Sequence, residues 1–147
     1  MELSDAFRIV NLVTATIMVL GGIAQFFNFS FFCLEQLMDV PSAAPIGSQG
    51  IIVGVYVIIF GLCTALLEFQ VPPQVSRYAS FLFSFLGRGV FYIFIGSILL
   101  SDNVLRIIAG SIIGIIGVSY VVLEFIPQIE PPANMREADA GWGAEQV

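Results

Sequence analysis

The sequence contains no lysine and no histidine, and only 11% of its 147 residues are charged. Soluble domains carry about 25% charged residues. Histidine is the usual general base near neutral pH and a common metal ligand, and lysine is needed for Schiff-base chemistry. The sequence also shows no nucleophile–base pair, phosphate loop or metal-binding cluster. We therefore expect no catalytic, cofactor-binding or metal-binding residues, and a protein that is not an enzyme.

Positive charge is equally scarce, because five arginines stand against eleven acids for a net charge of −6. A protein that binds nucleic acid needs a basic patch to neutralise phosphates. Nucleic acid is therefore excluded as a partner. The two cysteines, Cys33 and Cys63, are too few for a disulfide framework and are expected to be small apolar side chains.

What the sequence has in abundance is long apolar segments. Apolar residues make up 58% of the chain, and the mean hydropathy is +0.96. Four runs are long enough to cross a bilayer, at about 9–30, 51–69, 78–100 and 104–126. The expected fold is an all-α integral membrane protein, a bundle of four transmembrane helices over residues 1–126. The bilayer is its first partner, and residues 127–147 form a flexible acidic tail.

Residues 51–69 recur in diverged form as residues 107–125. Eight of the nineteen positions are identical, and in each copy two glycines and a glutamate lie seven residues apart. Seven residues are nearly two helical turns, so the three lie on one face. One span separates the copies, which predicts a partial parallel internal repeat. The repeated residues are Gly54, Gly61 and Glu68 in one copy, and Gly110, Gly117 and Glu124 in the other.

The four repeated glycines predict a seam of close helix packing. The Gly-xxx-Gly pairs, Gly50/Gly54 and Gly110/Gly114, fit the same role. Two alternatives stay open: the seam packs helices within one molecule, or it joins two copies of the chain.

Arg88 lies inside the third apolar run, between Gly87 and Gly89. A charge there costs about 2.5–3.5 kcal/mol on insertion scales, so the guanidinium should face the bundle and find a partner. Glu68 and Glu124 are the candidates. The pattern favours an internal ion-pair clamp, with an ion or lipid-headgroup site as the alternative.

The arginines also predict the orientation. Arg8, Arg77 and Arg136 fall on one side of the predicted membrane and Arg106 on the other, which places both termini in the cytosol. The tail then presents Trp142 among acidic residues. An aromatic anchor with acids to steer it is typical of a short partner-binding motif, and resting at the membrane interface is the alternative. The expected tail contacts are Trp142, Glu137, Asp139 and Glu145.

Three stretches resemble the COPI-associated membrane protein family. They are GGIAQFF (21–27), LEFQVPPQVSRYASFLFSFLGRGVFYIFIGSILL (67–100) and LEFIPQIEPPANMREADAGWGAEQV (123–147). The resemblance implies a four-span protein of Golgi and vesicle membranes, linked to vesicle-mediated transport and without catalytic activity. We therefore expect it to act by packing against other membrane proteins or itself, and through a tail read by coat or trafficking machinery.

A second hypothesis is a small ion channel or a proton-carrying proteolipid that uses Glu68 and Glu124. Proton-carrying proteolipids hold their glutamate near the middle of the membrane. Both glutamates here stand at the penultimate position of their repeat, close to the water boundary, which favours the first interpretation.

Overall fold

The computed structural model describes residues 3–37, 48–100, 104–126 and 128–129, and the regular structure in that part of the chain is entirely helical. The all-α prediction is therefore confirmed. In chain order the elements are α1 (Leu3–Leu37), α2 (Ser48–Phe69), α3 (Pro73–Tyr78), a 3₁₀ helix (Ser80–Phe83), α4 (Phe85–Leu99) and α5 (Val104–Glu124).

Three of these helices contain segments long and apolar enough to cross a membrane: Ser4–Phe27, Gly50–Phe69 and Val104–Glu124. The fourth apolar helix, α4, is shorter, with fifteen residues. At 1.5 Å per residue it measures about 22 Å, against a hydrocarbon core of about 30 Å.

The third apolar run is interrupted where the sequence predicts one helix over residues 78–100. α2 ends at Phe69, and Pro73 opens the short helix α3 at a position where a missing N–H does no harm. The backbone then leaves the helical region at Ala79 (φ −123°, ψ 39°) and again at Ser84 (φ −94°, ψ 145°). α4 therefore begins at Phe85, and Arg88 lies in its first turn.

The long helices pack as two pairs, α1 along α2 and α4 along α5, and α1 also contacts α5 and α4. Met18, Ile95 and Ile113 are fully buried between them. Many large apolar side chains point outward instead, such as Leu20, Leu66 and Ile115. Cys63 is also exposed and is not in a disulfide. An apolar exterior of this extent suits contact with lipid.

One end of the molecule brings together four helix termini. The Arg8 guanidinium of α1 lies 5.5 Å from the ring centre of Phe69, at the end of α2. At the same end, the Leu86 N–H of α4 donates to the Glu124 carboxylate of α5 (3.3 Å). We call this the network end, because the buried polar residues described next lie beside it.

Candidate functional site

The helices of each pair approach closely because small residues face the contact. On α2, a Cβ added at Gly61 would lie 3.1 Å from the Ala15 carbonyl oxygen of α1. A Cβ added at Gly54 would lie 3.1 Å from the Gly22 carbonyl oxygen. Each distance is shorter than an ordinary van der Waals contact. The absence of a side chain at both glycines is therefore what allows the two backbones to meet.

The α4–α5 pair repeats this arrangement with even less space. A Cβ at Gly117 would lie 2.7 Å from the Gly89 carbonyl oxygen, and one at Gly110 would lie 2.7 Å from the Gly96 carbonyl oxygen. Close backbone contact of this kind is a main source of helix association in lipid, where apolar side chains gain little by leaving the membrane.

Gly114 behaves differently from the seam glycines. Apart from the adjacent backbone of α5 itself, no atom lies within 4 Å of the point where its Cβ would stand. It lines an outward groove of about 840 Å³ between α4 and α5, together with Ser97, Ser111 and Ser119. Both glycines of the Gly110/Gly114 pair have backbone atoms close to Gly96 of α4, but only the Cβ position of Gly110 faces that contact.

The Gly87-Arg88-Gly89 sequence serves three contacts in the first two turns of α4. A Cβ at Gly87 would collide with the Phe81 carbonyl oxygen of the 3₁₀ helix. Gly89 faces the α5 backbone across the helix. Between them, the Arg88 side chain points into the molecule, and Arg88 is only 2% exposed. The two glycines thus let the 3₁₀ helix and α5 close around the arginine.

Arg88 contacts both the chain break and the end of α2. Its Nε donates to the Leu82 carbonyl oxygen of the 3₁₀ helix at 3.1 Å. Its Nη1 lies 3.6 Å from Oε2 of Glu68, whose side chain is 2% exposed. The side-chain hydrogen bond to Leu82 explains how an irregular segment is held at the start of an apolar helix, where its free carbonyl would otherwise be unsatisfied.

Asn11 of α1 connects this ion pair to two tyrosines. Its Nδ2 donates to Glu68 Oε2 at 3.2 Å. Its Oδ1 accepts from the hydroxyl of Tyr92 at 3.1 Å and from the hydroxyl of Tyr120 at 2.6 Å. We call Asn11, Glu68, Arg88, Tyr92 and Tyr120 the polar network. Its members come from α1, α2, α4 and α5.

The sequence offered Glu68 and Glu124 as partners for Arg88, and the structure places Glu68 beside it. Glu124 lies elsewhere at the network end. Its side chain is exposed, and Oε2 accepts the N–H of Leu86 in the first turn of α4. Ser84, the N-cap residue of α4, makes no side-chain cap bond, so Glu124 supplies an acceptor from α5.

Sequence reasoning missed Asn11, Tyr92 and Tyr120. The available signal was that each is a polar group inside a long apolar run, where it needs an internal partner. Thr14 shows why this signal is weak, since its hydroxyl donates to the carbonyl of Val10 in its own helix. A polar residue in a span can be satisfied locally, and only the fold distinguishes the two cases.

The tail residues Trp142, Glu137, Asp139 and Glu145 lie outside the described residues. Among the residues that are described, no group of three His, Cys, Asp or Glu side chains could hold a metal ion. The site is therefore a network of hydrogen bonds with one ion pair at its centre.

A predominantly apolar chain with three potential membrane spans and a polar network buried between its helices has the character of an integral membrane protein. Comparison with known families specifies which one: residues 4–147 match the family model described as COPI associated protein. The chain belongs to this family, which confirms the resemblance found in its sequence.

Two fungal proteins are similar along most of the chain. The Golgi apparatus membrane protein tvp15 of Schizosaccharomyces pombe is 31% identical over 149 residues, and the match covers all of both chains. The Golgi apparatus membrane protein TVP15 of Saccharomyces cerevisiae is 33% identical over 134 residues, covering 88% of this chain and 80% of the relative. No solved structure matches.

Proposed function

We propose that the chain is a non-enzymatic, multi-pass membrane protein of the Golgi apparatus and Golgi-derived vesicles that acts in vesicle-mediated transport. The observation that carries this proposal is the family match over residues 4–147, together with two relatives whose names place them in the Golgi membrane. The match includes the segment after α5, so the tail belongs to the similarity as much as the helices do.

The proposed architecture is a four-transmembrane-helix bundle with a partial parallel repeat. The seam glycines of α2 and α5 are 56 positions apart in the sequence. Their backbone partners on the other two helices also keep one spacing, because Ala15 and Gly89, and likewise Gly22 and Gly96, are 74 positions apart. Equivalent crossings in both pairs support a repeat of whole helix pairs, including α1 and α4, whose sequences show no convincing similarity.

Within this bundle the polar network would serve as a clamp between the two helix pairs. Asn11 and Glu68 belong to the α1–α2 pair, whereas Arg88, Tyr92 and Tyr120 belong to the α4–α5 pair. The three side-chain hydrogen bonds of Asn11 described above and the Arg88–Glu68 ion pair are all buried. A buried ion pair of this kind fixes register and orientation more than it adds stability.

The outer surface of the bundle would meet other membrane proteins or a second copy of the chain. The groove beside Gly114 supports this part of the proposal, because it is open and its lining combines glycines and serines with larger apolar side chains such as Ile115. Small residues let another transmembrane helix approach closely. The Gly114→Ile variant should keep its fold and lose co-purifying membrane proteins. If the same membrane proteins co-purify with the variant, the groove is not a partner-binding surface.

The tail would act on the cytosolic side, with both termini facing the cytosol. Arg8 lies at the network end, and Arg77 follows closely on the end of α2 there, which supports a cytosolic network end under the positive-inside rule. In this arrangement Trp142 would anchor the tail to coat or trafficking proteins, and Glu137, Asp139 and Glu145 would steer it to a basic surface.

The test is a native-detergent pull-down with the intact chain, a chain truncated after Pro132, and the Trp142→Ala variant. Coat or trafficking proteins should be captured by the intact chain and lost from the other two, while membrane insertion stays intact. Trp142→Phe is the matched control, since it keeps an aromatic ring. If truncation changes no partner, the tail is not the binding element and the function belongs to the helices.

The second candidate function is a small channel or proton-carrying proteolipid. A crevice of about 560 Å³ lies against Glu68 and the turn from Gln70 to Pro73, and it favours this candidate by offering a route towards one of the two acids. Glu68 is held by Arg88 and Asn11, however, so carrying a proton would require breaking the network. Ion flux into liposomes that Glu68→Gln or Glu124→Gln abolishes would establish the channel, and no flux would reject it.

A further inference from the structure

The segment between α2 and α4 has regular structure of its own. α3 and the 3₁₀ helix follow each other from Pro73 to Phe83 and end where α4 begins. Residues of this segment on one side are anchored: Phe83 is buried in the core, and Val75 and Leu82 pack against it.

The other side of the segment points away from the protein. Tyr78 is 83% exposed and Phe81 is 55% exposed, and Arg77 between the anchoring residues is also exposed. The segment is therefore amphipathic, with aliphatic and phenyl groups inward and a tyrosine, a phenylalanine and a guanidinium outward. Exposed rings would be unfavourable in water, while a guanidinium and a phenol would be unfavourable deep in lipid.

The position of the segment is fixed by the helices at its two ends. Phe69 ends α2, a potential membrane span, and Phe85 starts α4, so both attachment points lie at the network end. Gly87 lets the carbonyl of Phe81 press against the first turn of α4, and Arg88 bonds the carbonyl of Leu82. The segment therefore cannot extend far into water or continue α4 as a straight helix.

We propose that residues 73–83 form an interfacial segment that lies along the membrane surface, with Tyr78 and Phe81 among the lipid headgroups and Arg77 bound to anionic phospholipids. Tyrosine is enriched at the headgroup level because its ring is apolar and its hydroxyl is polar. Arginine adds attraction to anionic lipid, which is strongest at the cytosolic leaflet. The proposal goes beyond the trafficking function, because it concerns the bilayer and requires no protein partner.

Charge complementarity favours anionic lipid over other occupants of this face. The chain as a whole carries a net charge of −6, yet the charged side chain on the outward face of the segment is a cation. Arg8 adds a second exposed cation at the same end, over the ring of Phe69, and the exposed acids there, Asp5 and Glu124, belong to α1 and α5 rather than to the segment. The third crossing of the membrane then consists of the fifteen residues of α4, which is short enough to favour a locally thin bilayer.

The test uses the intact chain in vesicles and follows the fluorescence of one indole. Trp142, the single tryptophan, is first replaced by phenylalanine, and Tyr78→Trp then places an indole on the segment. Phe94→Trp on the exposed side of α4 is the matched control for a position deep in the membrane. The quenchers are aqueous iodide and phosphatidylcholine brominated either near the glycerol or near the chain end.

The indole at position 78 should be quenched most by lipid brominated near the glycerol and little by iodide. The control at position 94 should respond most to bromine near the chain end. Strong quenching by iodide with no effect of brominated lipid would show the segment in water and overturn the proposal. A response identical to that of position 94 would also overturn it, by showing the segment inside the hydrocarbon core.

The role of Arg77 is tested by adding phosphatidylserine to the same vesicles. Protection of the position 78 indole from iodide should increase with the phosphatidylserine content. Arg77→Gln should raise about fivefold the phosphatidylserine content needed for half of this protection, the effect of one surface arginine on lipid affinity, whereas Arg77→Lys should leave it unchanged. An equal response in the glutamine variant and its parent would reject headgroup binding by Arg77.

Discussion

Contacts within a helix pair and contacts between the two pairs differ in chemistry. Within the α1–α2 and α4–α5 pairs, backbone meets backbone across glycines and one alanine. Between the pairs, side chains do the joining: Asn11 with Tyr92 and Tyr120, and Glu68 with Arg88. Rings add to this, as with Phe7 against Phe85 at 5.5 Å and Phe60 against Phe91 at 5.6 Å.

This difference has a physical reason. In lipid, apolar side chains are as well solvated as they are against another helix, so association depends on tight backbone packing or on polar bonds. Within each pair, glycines let the two helices pack tightly. The two pairs are less closely packed on each other, and a buried hydrogen-bond network gives them a single relative orientation.

The largest effect is expected from removing one member of the ion pair. Arg88→Met leaves Glu68 buried without its cation, and breaking such a pair costs about 3–5 kcal/mol. The free energy of unfolding in detergent should fall accordingly. Arg77→Met is the matched control, because that arginine is exposed and should leave stability nearly unchanged. Equal stability of both variants would show that the ion pair does not hold the pairs together.

A substitution at the α4–α5 crossing should have the next largest effect. At Gly117 even a Cβ would meet the Gly89 oxygen and the Ile93 nitrogen at 2.7 Å, so Gly117→Val should destabilise the protein by about 1–3 kcal/mol. Gly114→Val, on the same helix with open space around it, is the control and should unfold at the parent's temperature. Similar shifts in melting temperature for Gly117→Val and Gly114→Val would contradict close helix packing at Gly117.

Asn11→Ala should lower the stability of the protein, because three hydrogen bonds depend on the one Asn11 amide. The two tyrosine hydroxyls lose an acceptor and Glu68 loses a donor. Interhelical hydrogen bonds average about 0.6 kcal/mol each in membrane proteins, so a loss of about 2 kcal/mol is expected. Thr14→Ala, which removes a bond within α1 only, should cost less. The comparison is read from thermal unfolding of the two purified variants.

The smallest effect is expected at Glu124. Its carboxylate accepts one N–H at the start of α4 from an exposed position, so Glu124→Gln keeps an acceptor and removes only the charge. Interactions of this type are worth about 0.3–1 kcal/mol. The melting temperature should fall slightly at low salt and match the parent at high salt. A drop as large as that of Arg88→Met would place Glu124 inside the clamp.

The sequence was sufficient for the helical class and the family, and it pointed to Arg88 with two candidate partners, Glu68 and Glu124. Arg88 and Glu68 stand out because a charge in an apolar run demands a partner. The sequence predicted only part of the break before α4. The paired prolines predict the end of α2, but nothing in the sequence of residues 78–84 excludes a helix. The hydrogen bond from Arg88 to Leu82 that holds the break is a tertiary contact.

Asn11, Tyr92 and Tyr120 were invisible for a different reason. Tyr92 and Tyr120 lie 81 and 109 positions after Asn11 in the chain. In addition, a polar residue in a span can bond to its own helix, as Thr14 does. Which of them meet depends on how the two pairs are oriented. That orientation is in turn set by the same bonds, so it cannot be inferred from any one helix.

The measurement that tests the clamp most directly is a double-mutant cycle of Arg88→Met and Glu68→Leu, with unfolding free energies measured in one detergent. If the two residues form a clamp across the pairs, each single variant is strongly destabilised and the double variant recovers most of the loss. If the losses in unfolding free energy are additive, so that the double variant is less stable than either single variant, Arg88 and Glu68 act independently. The two helix pairs would then be held together by other contacts.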